Sequence, residues 1–303
     1  MNTYIVILTW NNSDDFARCI HSVGYGSLSK CELVVVENGS SGDEREKIIR
    51  ACERLYESPW ACFAVDGATV IQLPENIGIP AGQNRALDEI AKHDHGDYGV
   101  ILLDADTIVQ VDWIDKLLNF ADKHPDVGIV GGGQSPNGPP CPVYHHPNGR
   151  WYVHDLQSIH PSGFMEGESV DFACVYLRPE LMARGLRFDP NYEIYDGYDQ
   201  DLTFRVRSWG YRVWQIEAGV AHYASSAMKK TGYTWSGGGR HEWDLLRERN
   251  VTRFSKIWEP FLAPYRDTIE REMAHMEKMN AKLIAEAGER AAVPHFAAEG
   301  KSG

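Results

Sequence analysis

The sequence lacks any run of about 20 apolar residues, which is the length that a membrane-spanning helix needs. Its first residues also lack the basic segment and the longer apolar segment of a secretory signal peptide. These two features would have indicated a membrane-inserted or exported chain. We therefore expect a protein with no transmembrane segment that resides in the cytoplasm.

Cysteine is scarce and follows no ligand pattern. The six cysteines form neither a Cys-x-x-Cys pair nor a zinc-ligand spacing. They are Cys19, Cys31, Cys52, Cys62, Cys141 and Cys174. We expect reduced thiols that pack in the interior rather than disulfides or zinc ligands.

Positive charge is also in short supply. The chain has 30 Lys and Arg residues against 43 Asp and Glu residues, which gives a formal net charge of −13. A chain of this charge repels polyanions, so nucleic acid is a poor candidate partner and a phosphate ligand would need a metal ion. The 303 residues, 43% of them hydrophobic, are enough for a sizeable buried core.

Short β-branched runs alternate with amphipathic helical patterns over the first 130 residues. The runs are too short and too uniformly apolar for surface helices, so they predict buried strands. The predicted strands are residues 4–8, 33–36, 69–73, 100–103 and 127–130. Alternating strands and helices predict an α/β fold with a mainly parallel, Rossmann-like sheet that is flanked by helices.

Capping residues mark the starts of three of the predicted helices. Ser13 is the candidate cap of the first helix, and Asp112 is the candidate cap of the helix after the fourth strand. Ser41 and Glu44 have capping-box spacing ahead of the second helix.

Polar residues follow three of the predicted strands. They are Thr9 and Asn11 after the first, Glu37 and Asn38 after the second, and Asp104, Ala105 and Asp106 after the fourth. Each of them alone is commonly a turn or capping residue. Because ligands of open parallel sheets bind beyond the carboxyl ends of the strands, the three groups together predict a ligand site.

Two groups of acidic residues are candidates for the chemistry. Asp104 and Asp106 are one residue apart, and such a pair can share Mg²⁺ or Mn²⁺ and bridge it to phosphate oxygens. Asp199 and Asp201 precede a helical pattern, and they are either first-turn acids that favour the helix dipole or a source of a general base. His222 is either a structural histidine or a third metal ligand.

Three later stretches differ in character from the first 130 residues. Residues 131–169 are rich in Gly, Pro, His and Asn and predict a loop or hairpin excursion. Residues 225–240 combine glycines with cations, as in a mobile anion-binding loop or a solvated surface loop. Residues 260–292 predict a peripheral C-terminal helix, and docking on the domain is favoured over a homodimer through this helix.

The order of these features resembles the inverting nucleotide-sugar glycosyltransferases of family 2, which have the GT-A fold. The matching segments are Thr9-Trp10-Asn11, Glu37-Asn38-Gly39-Ser40, Asn76-Ile77-Gly78 leading to Asn84, Asp104-Ala105-Asp106, Asp199-Gln200-Asp201-Leu202 and His222. A final segment, from Phe254 to Trp258, resembles the Phe-x-x-Lys-Trp closing segment of these enzymes. Single motifs are weak, whereas their ordered combination over residues 3–258 is specific.

The resemblance implies a role for each matched position. The residues that it assigns to the nucleotide-sugar donor are Thr9, Asn11, Glu37, Asn38, Asn84, Asp104, Ala105 and Asp106. Asp106 and His222, with Asp104 beside them, would hold Mn²⁺ or Mg²⁺ on the diphosphate, and Asp199 matches the catalytic base. The chain departs from the family pattern at Glu37 (usually Asp), Gln83 (often Arg) and Tyr198 (usually Glu).

We therefore expect a metal-dependent inverting glycosyltransferase. It would move a sugar from a nucleoside diphosphate sugar, with a UDP-sugar favoured, to a hydroxyl of a saccharide, glycoconjugate or protein acceptor. The catalytic domain would cover residues 1–258, with a nucleotide-binding half over 1–130 and an acceptor-binding half over 131–258, followed by a C-terminal helix and tail over 259–303.

Two alternative functions stay open on the sequence alone. Residues 101–107 also resemble the nucleophile motif of haloacid dehalogenase-type phosphohydrolases, in which Asp104 would form an aspartyl phosphate. That motif normally lies on the first strand, whereas here it follows the fourth. The other alternative is a noncatalytic protein that binds a sugar nucleotide or a glycan on the same scaffold.

Overall fold

The structure is a computed structural model that describes residues 2–25, 29–57, 65–94, 98–134, 143–145, 151–153, 164–166, 169–170, 172–192, 197–223 and 242–262. Its helices are α1 (Ser13–Tyr25), α2 (Gly42–Glu57), α3 (Ile79–His93), α4 (Trp113–Lys123), α5 (Pro179–Ala183), α6 (Tyr198–Ser208) and α7 (Glu242–Leu262).

Strands form at each of the predicted β-branched runs. The first six are β1 (Asn2–Thr9), β2 (Cys31–Glu37), β3 (Val65–Gln72), β4 (Tyr98–Asp104), β5 (Thr107–Val109) and β6 (Val127–Gln134). The others are β7 (Val143–His145), β8 (Trp151–Val153), β9 (Phe164–Glu166), β10 (Cys174–Leu177) and β11 (Arg212–His222).

Most of these strands form one sheet in the order β3-β2-β1-β4-β10-β6-β11-β5, with β9 beside β11. The pairs β3–β2, β2–β1, β1–β4 and β6–β11 are parallel, whereas β10 is antiparallel to both β4 and β6. The strands β5 and β9 are antiparallel to β11, and β7 pairs with β8 in a separate hairpin. The predicted α/β class, with a mainly parallel sheet flanked by helices, is confirmed.

The sheet is apolar on both faces because each face packs against helices. Along β1, Ile5 and Ile7 join a core with α1, α2 and α4, while Tyr4 and Val6 join a second core with α3, α5 and α6. Ile5, Val6 and Ile7 are completely buried. Burying one such side chain contributes about 1.5–3 kcal/mol to folding, which explains why the strands are uniformly apolar rather than alternating.

The helix caps differ from the predictions. Ser13 is the first residue of α1, and its backbone N–H donates to Glu44 at 2.9 Å. The Glu44 carboxylate therefore caps α1, although its spacing predicted a bond within its own helix. Asp112 does occupy the N-cap position of α4, but it is left-handed (φ 66°) and its side chain makes no capping hydrogen bond.

The predicted excursion begins later than the sequence indicated. Strand β6 runs through Gly131, Gly132 and Gly133 to Gln134, so the expectation of irregular structure from Gly131 onward is wrong. The buried Gln215 side chain of β11 lies across these glycines and donates to the Gly133 carbonyl at 2.7 Å. A Cβ on Gly131 would stand 2.2 Å from Gln215 Oε1, so the glycines provide space for this side chain. The β7–β8 hairpin lies within the excursion, as predicted.

The C-terminal part of the described chain is α7, which contains Pro260 near its end. The predicted helix over 260–292 lies outside the described residues beyond Leu262, and the loop over 225–240 lies outside them entirely. The described cysteines, Cys19, Cys31, Cys52 and Cys174, are all free and buried. Among the described helices, none has the length and apolar character needed to cross a membrane.

Candidate metal centre and donor site

Within the described residues, a cluster of three potential metal ligands lies where β4 ends and β5 begins. Asp104 is the last residue of β4, and the turn through Ala105 and Asp106 leads into β5. Because β5 pairs with the end of β11 in the register Thr107↔His222, the imidazole comes to lie beside both carboxylates. His222 Nε2 is 3.3 Å from Asp106 Oδ1 and 3.7 Å from Asp104 Oδ2.

Main-chain and buried side-chain bonds hold this turn on several sides. The Asp104 N–H donates to Ala173 O at 2.8 Å, and the Tyr223 N–H donates to Asp106 O at 3.0 Å. Beneath the turn, the Thr107 hydroxyl donates to Asp104 O at 2.7 Å, and the Cys19 thiol lies 3.5 Å from the same oxygen. Burial raises the pKa of Cys19 to about 12, so this group stays a neutral thiol that supports the turn.

The three side chains suit a hard or borderline divalent cation. One potential ligand atom from each of Asp104, Asp106 and His222 lies within 4.8 Å of the others. Carboxylate oxygens are preferred by Mg²⁺ and Mn²⁺, and an imidazole is well tolerated by Mn²⁺. The Asp104 side chain is 44% exposed, whereas Asp106 and His222 are largely covered. The cluster thus has an open side toward solvent, and its binding of a metal stays a prediction.

The polar residues after β1 and β2 lie at the same edge of the sheet as the cluster of Asp104, Asp106 and His222. The register pairs Leu8 with Asp104 and Thr9 with Glu37, so all three strand ends are neighbours. The Thr9 main-chain carbonyl accepts from the Asn38 N–H at 2.9 Å. The Thr9 hydroxyl is buried and makes no hydrogen bond within the described residues, so it has unused hydrogen-bonding capacity at this edge.

Asn11 joins the loop after β1 to the loop after β2. Its backbone is left-handed (φ 49°), which asparagine tolerates better than most residues. Its N–H donates to Ser40 Oγ at 2.9 Å, and its Oδ1 accepts from the Ser41 N–H at 2.9 Å. The carbonyl oxygen of the amide therefore caps the start of α2, and a contact of Asn11 with a donor nucleotide stays a prediction.

Glu37 is completely buried, and groups of the protein compensate the negative charge of its carboxylate. Oε1 accepts from the Ser40 N–H at 2.5 Å, and Oε2 lies 2.8 Å from Arg45 Nε. This second contact is an ion pair without the alignment of a hydrogen bond. The guanidinium also donates to Leu73 O at 2.8 Å, so it links the ends of β2 and β3. In this structure the carboxylate faces Arg45, and a ribose or base contact by Glu37 stays a prediction.

Asn38 ties the end of β2 to the loop before α3. Its amide nitrogen donates to Asn76 Oδ1 at 3.0 Å, and its Oδ1 accepts from the Ile77 N–H at 3.1 Å. Gly39 follows with φ 74°, and a Cβ there would lie 2.1 Å from the Glu75 main chain. Only glycine permits this approach of the two loops.

Asn84 uses both polar atoms of its side chain within the protein. Its Nδ2 donates to Phe188 O, and its Oδ1 accepts from the Phe188 N–H, both at 2.9 Å. This pair of bonds joins α3 to the segment before α6. A contact of Asn84 with the donor stays a prediction, and it would compete with these two bonds.

Asp199 and Asp201 face different surroundings although they share the first turn of α6. Asp199 is half-buried, and its Oδ2 accepts from the Gln200 amide at 3.1 Å. Asp201 is almost completely buried and accepts from Trp258 Nε1 at 2.8 Å, from Arg205 at 2.7 Å and from the Tyr192 hydroxyl at 3.3 Å. Burial raises the pKa of Asp201, and these donors oppose the rise. Asp201 therefore fits the interpretation as a structural acid at the start of the helix, and Asp199 stays the predicted general base.

Sequence reasoning missed three residues of this region: Arg45, Gln200 and Trp258 as a hydrogen-bond donor. A signal existed for Arg45, because a buried acid at a strand end requires a nearby cation and Arg45 lies in the first turns of the following helix. No sequence signal indicated that Gln200, which lies between Asp199 and Asp201, would bind Asp199. Trp258 is 57 residues from Asp201, and only the packing of α7 against α6 brings the two together.

Comparison with known proteins adds the family. The profile of the family described as Glycosyl transferase family 2 matches residues 4–167, which is more than half of the chain. No curated protein matches the sequence significantly.

Solved structures share the fold at low identity. GalNAc-T7, solved with UDP, GalNAc and Mn²⁺, superposes with a TM-score of 0.61 at 15% identity, and the match covers 88% of this chain and 50% of that one. The mannosyltransferase PcManGT from Pyrobaculum calidifontis, solved with GDP-Man and Mn²⁺, gives 0.52 at 14% identity and covers 97% and 81%. A structure of TarS from S. aureus gives 0.51 at 14% identity and covers 84% and 70%.

These superpositions agree with a GT-A fold, and this chain spans half the length of the GalNAc-T7 chain. The profile match includes β1 to β9, and therefore the strand ends that carry Thr9, Glu37, Asp104 and Asp106. This chain belongs to glycosyl transferase family 2.

Proposed function

We propose that this protein is a metal-dependent, inverting glycosyltransferase that transfers a sugar from a nucleoside diphosphate sugar to an acceptor hydroxyl. The observation that carries the proposal is the cluster of Asp104, Asp106 and His222 at the carboxyl edge of the sheet. In a member of glycosyl transferase family 2, two carboxylates and an imidazole at this edge suit a cation that accompanies a diphosphate.

The residues of the cluster would hold Mn²⁺ or Mg²⁺. When bound, such an ion neutralises the negative charge that develops on the departing nucleoside diphosphate. The requirement fits the whole molecule, because a chain with a net charge of −13 otherwise repels a diphosphate. Asp104, the more exposed carboxylate, would face the ribose or the cation, as the sequence resemblance implies.

Asp199 is the proposed general base. It would take the proton of the acceptor hydroxyl as the acceptor oxygen forms its bond to the anomeric carbon. The bond between that carbon and the diphosphate oxygen breaks at the same time, and its electron pair leaves with the nucleoside diphosphate. Attack opposite the leaving group inverts the anomeric configuration. The bond from the Gln200 amide to Asp199 Oδ2 supports this role because it restricts the orientation of the carboxylate.

The donor would bind along the ends of β1, β2 and β4. The Thr9 hydroxyl, which has no hydrogen bond within the described residues, would offer a polar contact there, while Glu37 and Asn11 hold the surrounding loops. The relatives solved with UDP or GDP-Man and Mn²⁺ support a nucleoside diphosphate donor. Among such donors a UDP-sugar is our first candidate.

The division of labour along the chain is also a proposal. Residues 1–130 would form the nucleotide-binding half, 131–258 the acceptor-binding half, and 259–303 a peripheral helix and tail. In support, the cluster of candidate metal ligands takes Asp104 and Asp106 from the first half and His222 from the second. The acceptor would be a hydroxyl of a saccharide, glycoconjugate or protein, and a homodimer through the C-terminal helix is a further proposal.

The test is a panel of UDP-, GDP- and dTDP-sugars with Mn²⁺, Mg²⁺ or chelator, scored first by thermal stabilisation and donor hydrolysis. A donor found in this way is then offered to acceptor hydroxyls, and the anomeric configuration of the product is read by NMR. We expect stabilisation by one donor with the metal, and a product of inverted configuration. Retention of configuration would contradict the inverting mechanism, and equal turnover in chelator would contradict the metal requirement.

The same panel, with simple phosphomonoesters added as substrates, separates the alternatives. Release of inorganic phosphate from simple phosphomonoesters would favour the haloacid dehalogenase interpretation, in which Asp104 is a nucleophile. Binding of a nucleotide sugar with neither hydrolysis nor transfer would favour a noncatalytic protein. The family match supports the transferase over both.

A further inference from the structure

A short segment before α6 contacts three helices at once. We call residues 186–192 the clasp segment; it follows α5 and precedes α6 in the chain. Its polar contacts reach α3 through Asn84 and Asp88, α6 through Asp201 and Arg205, and α7 through Arg253. Connecting segments are ordinarily more mobile than the elements they connect, whereas this one is held by specific bonds to three helices.

The clasp segment is bound to α3 by two independent contacts. The Asn84 amide makes two bonds to the Phe188 main chain, in the manner of a paired strand. One residue earlier, Arg187 Nε donates to Asp88 Oδ1 at 2.8 Å. Asp88 lies one helical turn after Asn84, so the two contacts align the clasp segment along α3.

The clasp segment is also bound to α6, by hydrogen bonds and by ring packing. Arg205 donates through Nη1 to Arg187 O at 3.1 Å and through Nη2 to Asp201 at 2.7 Å, so one guanidinium joins the segment to the helix. The Phe188 ring packs edge-on against Tyr198, the residue before Asp199, with centroids 5.8 Å apart. At the end of the segment, the Tyr192 hydroxyl donates to Asp201.

Helix α7 closes the arrangement from the other side. Arg253 binds Asp189 through Nε at 3.1 Å and Nη2 at 2.5 Å, and its guanidinium lies 5.6 Å from the centre of the Tyr192 ring. Hydrogen bonds from Arg253 and Asn191 hold the pKa of Asp189 below its ordinary value, although burial acts in the opposite direction. Trp258, further along α7, supplies the donor to Asp201 Oδ1.

The helices joined in this way carry the two halves of the proposed reaction. Helix α3 begins directly after the loop of Asn76 and Gly78, which Asn38 holds at the donor edge. Helix α6 begins at Tyr198 and carries Asp199 as its second residue. A buried carboxylate with several directed donors, such as Asp201, contributes little net stability but requires one particular arrangement of its partners.

We propose that the clasp segment positions Asp199 relative to the donor site, and that Asp201 and Trp258 are positioning residues that act through it. This inference rests on the proposed function, because it presumes that Asp199 is the base. It implies that α7 is required for the rate of transfer although none of its described residues is proposed to touch the donor. In the described part of the chain, Trp258 and Arg253 contact none of the residues that we propose for donor binding, so donor binding should be spared when either is changed.

The test is Trp258→Phe, which retains the aromatic ring and removes the Nε1–H donor to Asp201. Displacement of a catalytic group by about 1 Å can cost on the order of 100-fold in rate. We expect kcat for transfer to fall at least about tenfold, with KM for the donor and Kd for UDP with Mn²⁺ within about twofold of wild type. Trp209→Phe is the matched control: it lies at the end of α6, packs on Arg184 and should leave kcat unchanged.

A second pair of variants protects the test against loss of folding. Arg253→Lys keeps the charge beside Asp189 but loses the two-nitrogen contact, and Arg212→Lys makes the same change in the exposed pair with Asp126. Rates are divided by the concentration of sites that bind UDP with Mn²⁺, so a smaller folded fraction does not lower kcat. We expect a lower kcat for Arg253→Lys only.

The outcomes distinguish this inference from the proposed function. A wild-type protein that transfers no sugar would overturn the proposed function itself. A wild-type enzyme that transfers sugar, with Trp258→Phe and Arg253→Lys both at its kcat per binding site, would overturn the clasp proposal alone. A parallel loss of kcat and nucleotide affinity in both variants would likewise overturn it, because that pattern belongs to a merely structural role.

Discussion

At the scale of single residues, the two acids of α6 separate catalysis from structure. We predict that Asp199→Asn lowers kcat for transfer by about 100-fold or more, since a positioned general base contributes 10²–10⁴-fold. Asparagine can still accept the bond from Gln200, so the fold and the affinity for UDP with Mn²⁺ should be preserved. The matched control is Asp126→Asn, an exposed acid paired with Arg212. Wild-type transfer by Asp199→Asn would show that another group takes the proton.

The cluster of Asp104, Asp106 and His222 supplies the second prediction for single residues. Asp106→Asn removes one carboxylate charge from the cluster, and we expect Mn²⁺ to bind at least about tenfold more weakly, because hard cations prefer charged oxygen ligands. The measurement is a Mn²⁺ titration followed by electron paramagnetic resonance, in the absence of nucleotide. Asp115→Asn, an acid on α4 outside the cluster, serves as the control. Unchanged Mn²⁺ affinity in Asp106→Asn would remove Asp106 from the ligand set.

At the scale of elements, contacts between the starts of the first two helices join them beside the carboxyl ends of β1 and β2. Asn11, before α1, binds the Ser41 N–H at the start of α2, and Glu44, within α2, binds the Ser13 N–H at the start of α1. A backbone N–H at the start of α2 thus has an acceptor in the loop before α1, and one at the start of α1 has an acceptor within α2. The exchange ties the loop after β1 to the loop after β2, next to Thr9 and Glu37.

This exchange predicts a pH-dependent contribution to stability. The hydrogen bond from the Ser13 N–H lowers the pKa of Glu44 below its ordinary value. The stabilisation is therefore present above the pKa of the unfolded carboxyl and is lost as the pH falls through the folded pKa. We expect Glu44→Gln to cost about 0.5–1 kcal/mol of unfolding free energy at pH 7, with the difference shrinking at acidic pH.

Urea unfolding between pH 3 and pH 7 measures this effect. Glu46→Gln is the control, because Glu46 lies in the same helix and its salt bridge is with the exposed side chain of Arg50. An equal loss in both variants would mean that the bond to Ser13 contributes nothing of its own.

At the scale of the whole molecule, the proposed ligands should stabilise the native state by mass action. A ligand that binds only the folded protein adds about 2.7 kcal/mol at a concentration 100 times its Kd. We predict that UDP with Mn²⁺ raises Tm progressively with concentration, that either alone has a smaller effect, and that chelator reverses the shift. Differential scanning fluorimetry tests this directly, with AMP and Mg²⁺ as a nucleotide control. The same rise for AMP would point to nonspecific binding.

Much of the fold was predictable because local patterns carry it. Strands β1 to β4 are buried on both faces, so their apolar runs stand out from the helical patterns between them. The sequence pattern predicts that β6 ends before Gly131, because glycines favour loops in isolation. Its extension depends on Gln215, which is distant in sequence and needs the space that the glycines leave. The bounds of such a strand follow from its partner rather than from its own residues.

The α/β class, the ends of β1, β2 and β4 to within one residue, and the pair Asp104 and Asp106 were predictable from local patterns, because strand periodicity and strand-end chemistry are local properties. The residue pattern left His222 open between a structural role and a metal ligand, and its position beside that pair depends on β11 pairing with β5. Only the tertiary structure decided that Asp201 binds Trp258, that Glu37 faces Arg45, and that Asn84 holds the clasp segment. These contacts join residues that are far apart in sequence or lie on different elements, so packing determines them and no local pattern reports it.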